Sequence, residues 1–138
     1  MNVDKSVKVI ITMIGLDGHT TGAEVIARTL RDAGIEVVYL GVNQTPEMIF
    51  NAAVQEDVDA IGISAHASNY SLIEELVGLL RQNGMDDVPV ICGGNIPKHK
   101  AIDLKQKGIA EVFPPGSSGE SVISYVLANA RGANERAA

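Results

Sequence analysis

The sequence predicts one doubly wound α/β domain, and three observations support this fold class. Short β-branched apolar runs alternate strictly with amphipathic stretches of helical spacing, five of each, along 138 residues. Such alternation is typical of a parallel sheet with helices on both faces, and right-handed crossovers favour the flavodoxin-like strand order 2-1-3-4-5. Neither a linker nor a repeat divides the chain, so we expect a single domain over residues 1–138 with a frayed tail from about residue 132.

The five apolar runs are the predicted strands, and each is followed by a polar or glycine-rich loop. They span residues 7–14, 36–40, 60–64, 88–92 and 110–113. In a parallel sheet of this order the loops after the strands gather on one edge, and ligands bind where the winding reverses, between the first and third strands. The unusual segments of this chain are therefore expected together at this edge.

The predicted helices have recognisable ends. The first covers residues 22–33 and ends at Gly34. Its predicted buried face consists of Val25, Ile26, Leu30 and Ala33. Thr45-Pro46-Glu47 supplies a cap, a first-turn proline and a first-turn acid for the second helix. Ser117 with Glu120 is expected to form the capping box of the fifth helix.

The composition excludes several functional classes. The chain carries 11 Lys and Arg against 17 Asp and Glu, a net charge of −6, and has no evident basic face for nucleic acid. The single cysteine, Cys92, excludes an internal disulfide and a cysteine-rich zinc site. We find no signal peptide and no apolar run long enough to cross a bilayer, so no membrane partner is expected and the cytoplasm is the expected compartment.

The most informative segment is Asp17-Gly18-His19-Thr20-Thr21-Gly22, between the first strand and the first helix. An aspartate two residues before a histidine can accept a hydrogen bond from one imidazole nitrogen. The other nitrogen is then neutral and fixed in direction, as in metal-ligating histidines. The surrounding glycines allow backbone to approach a large ligand closely. The alternative interpretation is a loop histidine that bonds a nearby carboxylate by chance and has no ligand to bind.

Two further loops are expected beside this one. Ser64-Ala65-His66 follows the third strand, and Gly93-Gly94-Asn95 follows the fourth. Their small residues leave a gap beside the sheet, which suggests a slot that admits something flat and bulky. An ordinary capped loop after the third strand and a simple glycine turn after the fourth are the alternatives.

Other kinds of site match poorly. The loop at residues 15–22 fits neither Gly-x-Gly-x-x-Gly nor the lysine-containing phosphate loop, and its aspartate would repel phosphate. The sequence has no Gly-x-Ser-x-Gly nucleophile elbow, and Cys92 ends a buried strand. A mononuclear zinc site would need more ligands than these residues supply, since His99 lies between lysines on a predicted helix surface. No catalytic residue is assigned.

Taken together, Asp17-x-His19-x-x-Gly22, Ser64 and Gly93-Gly94 resemble the cobalamin-binding domain of adenosylcobalamin-dependent carbon-skeleton mutases, and more distantly the corrinoid domain of methionine synthase. The similarity runs from about Val7 to Leu127. The resemblance implies adenosylcobalamin as the cofactor. It also implies His19 as the lower axial cobalt ligand, in place of the cofactor's own dimethylbenzimidazole.

The resemblance further implies a role for each loop. Asp17 would orient His19, and Ser64 would hydrogen-bond the base of the displaced nucleotide tail inside the slot. The other residues implied to contact the corrin or the tail are Leu16, Gly18, Thr20, Thr21, Gly22, Ala65, His66, Gly93, Gly94, Asn95, Ile96, Pro115, Gly116 and Ser117. His66 is a departure, because the family commonly has leucine two residues after the serine.

In carbon-skeleton mutases a substrate radical rearranges inside a separate (β/α)8 barrel. This chain has no residues for a barrel, so the resemblance implies a small subunit that forms a hetero-oligomeric isomerase with a large catalytic subunit. Residues 15–19 and 44–47 look like acyl-CoA mutases such as methylmalonyl-, isobutyryl- and 2-hydroxyisobutyryl-CoA mutase, which we favour. Residues 93–96 and 113–116 also resemble the glutamate mutase small subunit. A corrinoid methyl carrier and a response module without cobalamin are the remaining alternatives.

Overall fold

The strands and helices alternate along the chain in a computed structural model that describes residues 6–15, 21–65 and 69–133. Within these residues the strands are β1 (Lys8–Ile14), β2 (Glu36–Gln44), β3 (Ala60–Ser64), β4 (Val90–Gly93) and β5 (Glu111–Phe113). The helices are α1 (Thr21–Asp32), α2 (Pro46–Glu56), α3 (Tyr70–Gln82), α4 (Lys98–Gln106) and α5 (Gly119–Asn129). All strand pairs are parallel and the order is β2-β1-β3-β4-β5, which confirms the predicted fold class.

The sheet separates two apolar layers, as expected for helices on both faces. One layer joins Ile10, Ile61 and Ile63 of the sheet to the buried faces of α2, α3 and α4. The other joins Val9, Ile11 and Ile91 of the sheet to α1 and α5. Successive strand residues therefore serve opposite layers, in keeping with the two-residue period of a β-strand.

Strand β3 presents small residues to the layer that contains α1 and α5. An ideal Cβ at Gly62 would lie 2.8 Å from Ile11 Cδ1 and 3.7 Å from Ile91 Cγ1, both of which belong to that layer. Because side chains alternate along a strand, Ser64 lies on the same face as Gly62, and Ile63 on the other. The carboxyl end of β3 is thus nearly bare on the α1/α5 face.

Two sequence-based expectations about the helices were wrong. The buried residues of α1 are Ala23, Ala27 and Leu30, whereas Val25 is 55% exposed and Ala33 is also exposed. Because alanine side chains are small, α1 can lie close to the sheet with Ala23 and Ala27 facing it. When these alanines face the sheet, Val25 faces outward.

The cap of α5 is Ser118, whose hydroxyl oxygen accepts a hydrogen bond from Ser121 N at 3.1 Å. The neighbouring Ser117 hydroxyl instead donates to the Pro114 carbonyl at 2.6 Å. By contrast, the predicted Thr45 cap of α2 is confirmed, since Thr45 Oγ1 accepts from Met48 N at 3.1 Å.

A charged cluster closes the amino edge of the sheet. The buried Asp59 carboxylate accepts from Lys8 N at 2.9 Å, and Arg131 Nη2 lies 3.2 Å from its other oxygen. Arg131 also pairs with Asp57 at 2.7 Å. This cluster fastens the end of α5 to the start of β3, on the edge opposite the glycine-rich loops. No helix within the described ranges combines the length and apolar character needed to span a membrane.

Candidate functional site

An open slot of about 360 Å³ lies at the carboxyl edge of the sheet, on the α1/α5 face. The sheet contributes Ile11, Gly62, Ile63, Ser64, Ile91, Cys92 and Gly93 to its lining. The helices contribute Gly22, Ala23, Val25, Ile26 and Val122. Phe113 at the end of β5 also lines the slot, and the loops after β4 and β5 contribute Gly94, Pro114, Pro115, Gly116 and Ser117. The slot therefore collects residues from four of the five strands and from both helices of this face.

The small residues on β3 and β4 create the empty space. Ile11 and Ile91 meet across Gly62 and form the bottom, because a side chain at Gly62 would collide with Ile11. Above them Ser64 and Gly93 leave room, since neither carries a bulky side chain. The Ser64 hydroxyl makes no hydrogen bond to any other residue in the described part of the chain, so it is available to a ligand.

The wall formed by the β4–α4 loop depends on glycine at residue 94. Gly94 has φ +124°, and an ideal Cβ there would lie 2.5 Å from the Ala65 carbonyl oxygen. The neighbouring backbone is held in place, since Ala65 N donates to Gly93 O at 2.8 Å and Ile96 N donates to Gly94 O at 3.0 Å. The close approach joins the loops that follow β3 and β4 and fixes this side of the slot.

The opposite wall is a tight turn after β5. Ser117 N and the Ser117 hydroxyl both donate to the Pro114 carbonyl oxygen, at 3.1 and 2.6 Å. Gly116 has φ +85°, a value that favours glycine, and among the described ranges no atom would lie within 4 Å of a Cβ there. The turn thus has a fixed shape while it leaves open space beside it.

Helix α1 forms the third wall and leaves it incomplete. A Cβ at Gly22 would meet none of the residues that the structure describes within 4 Å, so as far as these residues go the first turn of the helix leaves room for a ligand. Val25 is 55% exposed although it is a large apolar residue that lines the slot. A flat apolar group in the slot would cover Val25 and gain its contact area.

The lining that the structure describes is uncharged. Its residues are aliphatic, aromatic, proline or glycine except for two serines and Cys92. Burial raises the pKa of the Cys92 thiol to about 12, so this group stays neutral at physiological pH. The slot can therefore take a flat, neutral group and offer it one hydroxyl, that of Ser64.

The structure brings together seven of the residues that the sequence singled out. They are Gly22, Ser64, Gly93, Gly94, Pro115, Gly116 and Ser117. Four others lie outside the lining: Thr21 begins α1, Asn95 is exposed, and Ala65 and Ile96 are buried in the layer of α2, α3 and α4. Ala65 shapes the slot only through its backbone contact with Gly94.

The remaining predicted site residues lie outside the described part of the chain. They are Leu16, Asp17, Gly18, His19, Thr20 and His66. The segment with Asp17 and His19 runs from Gly15, which follows β1, to Thr21 at the start of α1. Among the residues that the structure does describe, no three His, Cys, Asp or Glu side chains are grouped so as to hold a metal ion.

The sequence reasoning missed the apolar part of the lining. Ile11, Gly62 and Ile91 form the bottom, and Val25, Ile26, Phe113 and Val122 form the sides. A signal for Gly62 was present, because it precedes Ser64 by two residues and must share its face of the strand. No comparable signal marks Val25, whose position depends on how α1 rotates against the sheet.

Fold and slot define a flavodoxin-like α/β domain that can admit a flat, uncharged group at the carboxyl edge of a parallel sheet. The sequence matches the B12 binding domain family over residues 7–123. The chain therefore belongs to the B12-binding domain family.

Curated relatives show how closely the chain follows this family. It is 38% identical over 130 residues to the 2-hydroxyisobutanoyl-CoA mutase small subunit of Aquincola tertiaricarbonis, covering 92% of this chain and 96% of that protein. It is 38% identical over 124 residues to the pivalyl-CoA mutase small subunit of Xanthobacter autotrophicus, covering 90% of this chain and 84% of that protein. It is also 39% identical over 121 residues to methylmalonyl-CoA mutase of Rhizobium meliloti, of which it spans 17%.

Solved structures share the fold. A cobalamin-binding protein from Desulfitobacterium hafniense superimposes with a TM-score of 0.75 at 21% identity, covering 86% of this chain and 57% of that one. A Francisella response regulator receiver domain superimposes with a TM-score of 0.67 at 18% identity, covering 88% of this chain and 93% of that one. At these identities the likeness concerns the fold alone, and a receiver domain without cobalamin in its name shares it.

Proposed function

We propose that this chain is the cobalamin-binding small subunit of an adenosylcobalamin-dependent acyl-CoA mutase, and that a separate large subunit binds the substrate. The observation that carries the proposal is the uncharged slot at the switch point, lined by Ser64, Gly93 and Gly94, in a B12-binding domain. Similarity over nearly the full length of two proteins named mutase small subunits supports the acyl-CoA mutase class.

The slot fits the nucleotide tail of a cobalamin bound base-off. A benzimidazole base is flat and mostly apolar, and it would cover Val25 and fill the space above Gly62. The Ser64 hydroxyl, which has no other partner among the described residues, would hydrogen-bond a nitrogen of the base. With its tail in the slot, the cofactor would need a replacement ligand below the cobalt.

In this proposal His19 would supply that ligand, and Asp17 would hold the imidazole in the required tautomer and direction. When bound, adenosylcobalamin supplies a cobalt–carbon bond whose homolytic cleavage begins a radical rearrangement. The chain itself performs no proton transfer: its residues bind the tail, hold the lower ligand and exclude water from the base. The catalytic groups would belong to the large subunit.

The proposed partner is a large (β/α)8-barrel subunit, and the complex would act in the cytoplasm as an isomerase. Two of the relatives are named small subunits, and in methylmalonyl-CoA mutase the matching region is 17% of a longer protein. A domain of this kind thus occurs both alone and within a longer mutase chain. A glutamate mutase small subunit and a corrinoid methyl carrier are the competing outcomes.

The ligand assignment is tested by electron paramagnetic resonance of the Co(II) form. Purified protein grown with ¹⁵N-histidine is loaded with cobalamin, and the nitrogen coupling of the lower ligand is read. We expect a ¹⁵N doublet pattern from the wild type and its loss in His19→Ala. The control is His99→Ala, since His99 is exposed on α4. A ¹⁵N pattern that persists in His19→Ala, or a ¹⁴N pattern in the labelled wild type, would contradict the assignment.

The reaction class is tested with the reconstituted complex. The chain is purified with its large subunit and assayed on 2-hydroxyisobutyryl-, pivalyl-, isobutyryl- and methylmalonyl-CoA and on glutamate. Isomerisation of at least one acyl-CoA supports the proposal. Activity on glutamate alone would indicate a glutamate mutase, and methyl transfer without isomerisation would indicate a methyl carrier.

A further inference from the structure

The chain leaves β1 at Gly15, and this residue is held from two sides. Gly15 has φ +73°, a left-handed value that favours glycine. On one side, its N–H donates to the Gln44 carbonyl oxygen at 2.7 Å. On the other side, an ideal Cβ at Gly15 would lie 2.8 Å from Leu72 Cδ1 and 3.1 Å from Asn69 Oδ1. We call Gln44, Asn69 and Leu72 the Gly15 clamp.

The β2 side of the clamp depends on two irregularities in that strand. Between residues 11 and 14 the pairing partner advances from residue 39 to residue 44, which is five steps along β2 for three along β1. The Thr12 hydroxyl donates to the Gly41 carbonyl oxygen at 2.9 Å and holds the first irregularity in place. Extra residues of this kind bend a strand and are common beside functional sites. Here they bring the Gln44 carbonyl level with the end of β1.

The α3 side of the clamp contains a buried polar side chain. Asn69 is 4% exposed and occupies the cap position of α3, yet it makes no side-chain capping bond to that helix. Its Oδ1 atom lies closer to the Cβ position of Gly15 than its Cγ atom does, at 3.1 Å against 3.6 Å. An asparagine at a helix cap ordinarily accepts a bond from the first turn. This one instead directs its amide oxygen at the chain where it leaves β1.

The direction of the chain at Gly15 matters because the proposed ligand segment comes next. Asp17 and His19 follow Gly15 by two and four residues. Four residues span at most about 14 Å, so a rotation of about 10° at Gly15 moves the fourth residue by up to about 2 Å. A functional group must be held within about 0.5 Å to act, and a metal–ligand bond tolerates only about 0.2 Å. A metal ligand on this segment therefore needs a fixed point of departure.

We propose that Asn69 and Leu72 are positioning residues for the lower axial ligand, an inference that rests on the proposed function. They fill the space beside Gly15 and so exclude other directions for the chain as it leaves β1, while Gln44 holds the Gly15 N–H. They act through the backbone that leads to His19 and not by contact with the cobalt. A purely structural role would lower stability alone, whereas positioning changes how the folded protein holds a corrin.

The test measures the affinity of the purified protein for cobinamide, a corrin without the nucleotide tail. Binding of this probe cannot include the tail, so it depends more strongly on the ligand below the cobalt. Asn69→Ala should raise the dissociation constant about tenfold, the size expected when a group that orients a metal ligand is lost. The matched control is Asn83→Ala, the same substitution at the exposed opposite end of α3, which should stay within about twofold of the wild type.

A double-mutant cycle with His19→Ala shows whether Asn69 acts through the histidine. In the His19→Ala background, Asn69→Ala should change the cobinamide dissociation constant by less than about twofold. A tenfold loss in both backgrounds would mean that Asn69 contacts the corrin or supports the fold in general, and it would overturn the proposal. A loss below about twofold in the wild-type background would overturn it as well.

Gly15→Ala tests the same contact from the other side. The new Cβ would press on Leu72 Cδ1, and we expect cobinamide binding to weaken about tenfold. Leu72→Val shortens that side chain, so the double variant should return to within about threefold of the wild type. Gly34→Ala is the matched control, because Gly34 has a similar φ of +89° and no described atom within 4 Å of its Cβ position. If Leu72→Val leaves the loss unchanged, this contact does not set the direction of the chain and the proposal is overturned.

Urea unfolding of every variant separates positioning from damage. Arg131→Met, at the amino edge of the sheet, should lose stability while its cobinamide affinity stays within about twofold of the wild type. If Gly15→Ala does not fold, the cycle with Asn69→Ala decides alone. The proposed function has its own readout in the ¹⁵N coupling. Absence of that coupling in the labelled wild type would count against the function itself, whereas intact coupling with an unchanged Asn69→Ala would overturn the positioning role alone.

Discussion

Replacing Gly94 by alanine tests whether the slot wall depends on a close backbone approach. Gly94 has φ +124°, which L-residues rarely adopt, and the new Cβ would lie 2.5 Å from the Ala65 carbonyl oxygen. This oxygen belongs to backbone that cannot retreat freely, since Ala65 N is bonded to Gly93 O at 2.8 Å. The variant must therefore distort the β4–α4 loop or separate the loops that follow β3 and β4.

Gly116→Ala is the matched control, because Gly116 also lines the slot with a positive φ of +85° but has open space around its Cβ position. Strain alone should cost Gly116→Ala about 1–2 kcal/mol. Strain plus the backbone clash should cost Gly94→Ala about 3 kcal/mol or more. Urea unfolding followed by circular dichroism measures both, and the difference corresponds to roughly 3–6 °C in melting temperature. Equal destabilisation of the two variants would refute the close-approach argument.

Three further predictions concern the rest of the molecule. Arg131→Met should lower the free energy of unfolding by about 2–3 kcal/mol, because it removes the guanidinium that pairs with the buried Asp59 carboxylate and with Asp57. A loss below about 0.5 kcal/mol in urea titration would contradict this. Cys92 should react with a thiol reagent at pH 8 about a thousandfold more slowly than an exposed cysteine, since it is 1% exposed with a pKa of about 12; rapid labelling in native buffer would count against it. The hydrogen bond from Lys105 lowers the pKa of the Glu111 carboxyl. The pair therefore stabilises the fold at pH values above the ordinary glutamate pKa, and this stabilisation is lost as the pH falls through the lowered pKa of Glu111. Between about pH 6 and pH 3, Glu111→Gln should therefore lose about 0.5 kcal/mol less stability than the wild type, as measured by thermal melting at each pH. Equal losses of stability in the two proteins would contradict this prediction.

The strand order could be predicted because alternation of strand and helix and the handedness of crossovers leave few topologies. The rotation of α1 about its own axis could not be predicted, since the helix carries apolar residues on more than one side. Ala23 and Ala27 lie against the sheet and Val25 is exposed. Which side faces the sheet depends on how closely the helix approaches the strands. Similarly, the cap of α5 was expected at Ser117, but the Ser117 hydroxyl donates to the Pro114 carbonyl and Ser118 is the cap.

Seven of the predicted site residues line the slot at the carboxyl edge of the sheet, and which neighbouring residues join them depends on side-chain direction. Ser64 and Ala65 were expected to line the same slot, although neighbouring residues at the end of a strand point to opposite faces. Ser64 lines the slot and Ala65 is fully buried in the other layer. Counting residues in steps of two from Ser64 would have replaced Ala65 with Gly62. The role of Asp17 and His19 stays a prediction, because both lie outside the described residues.

The choice of face for the slot follows from the same alternation. On β3, Ile61 and Ile63 fill the layer under α3, whereas Gly62 and Ser64 leave the α1/α5 face thinly covered. Ile11 and Ile91 then close the lower part of that face across Gly62, so the opening is confined to the carboxyl end. A side chain larger than serine at the end of β3 would extend the core upward and stabilise the empty protein, since buried apolar contacts replace solvent. It would also occupy the space beside the exposed Val25 that the proposed ligand would need.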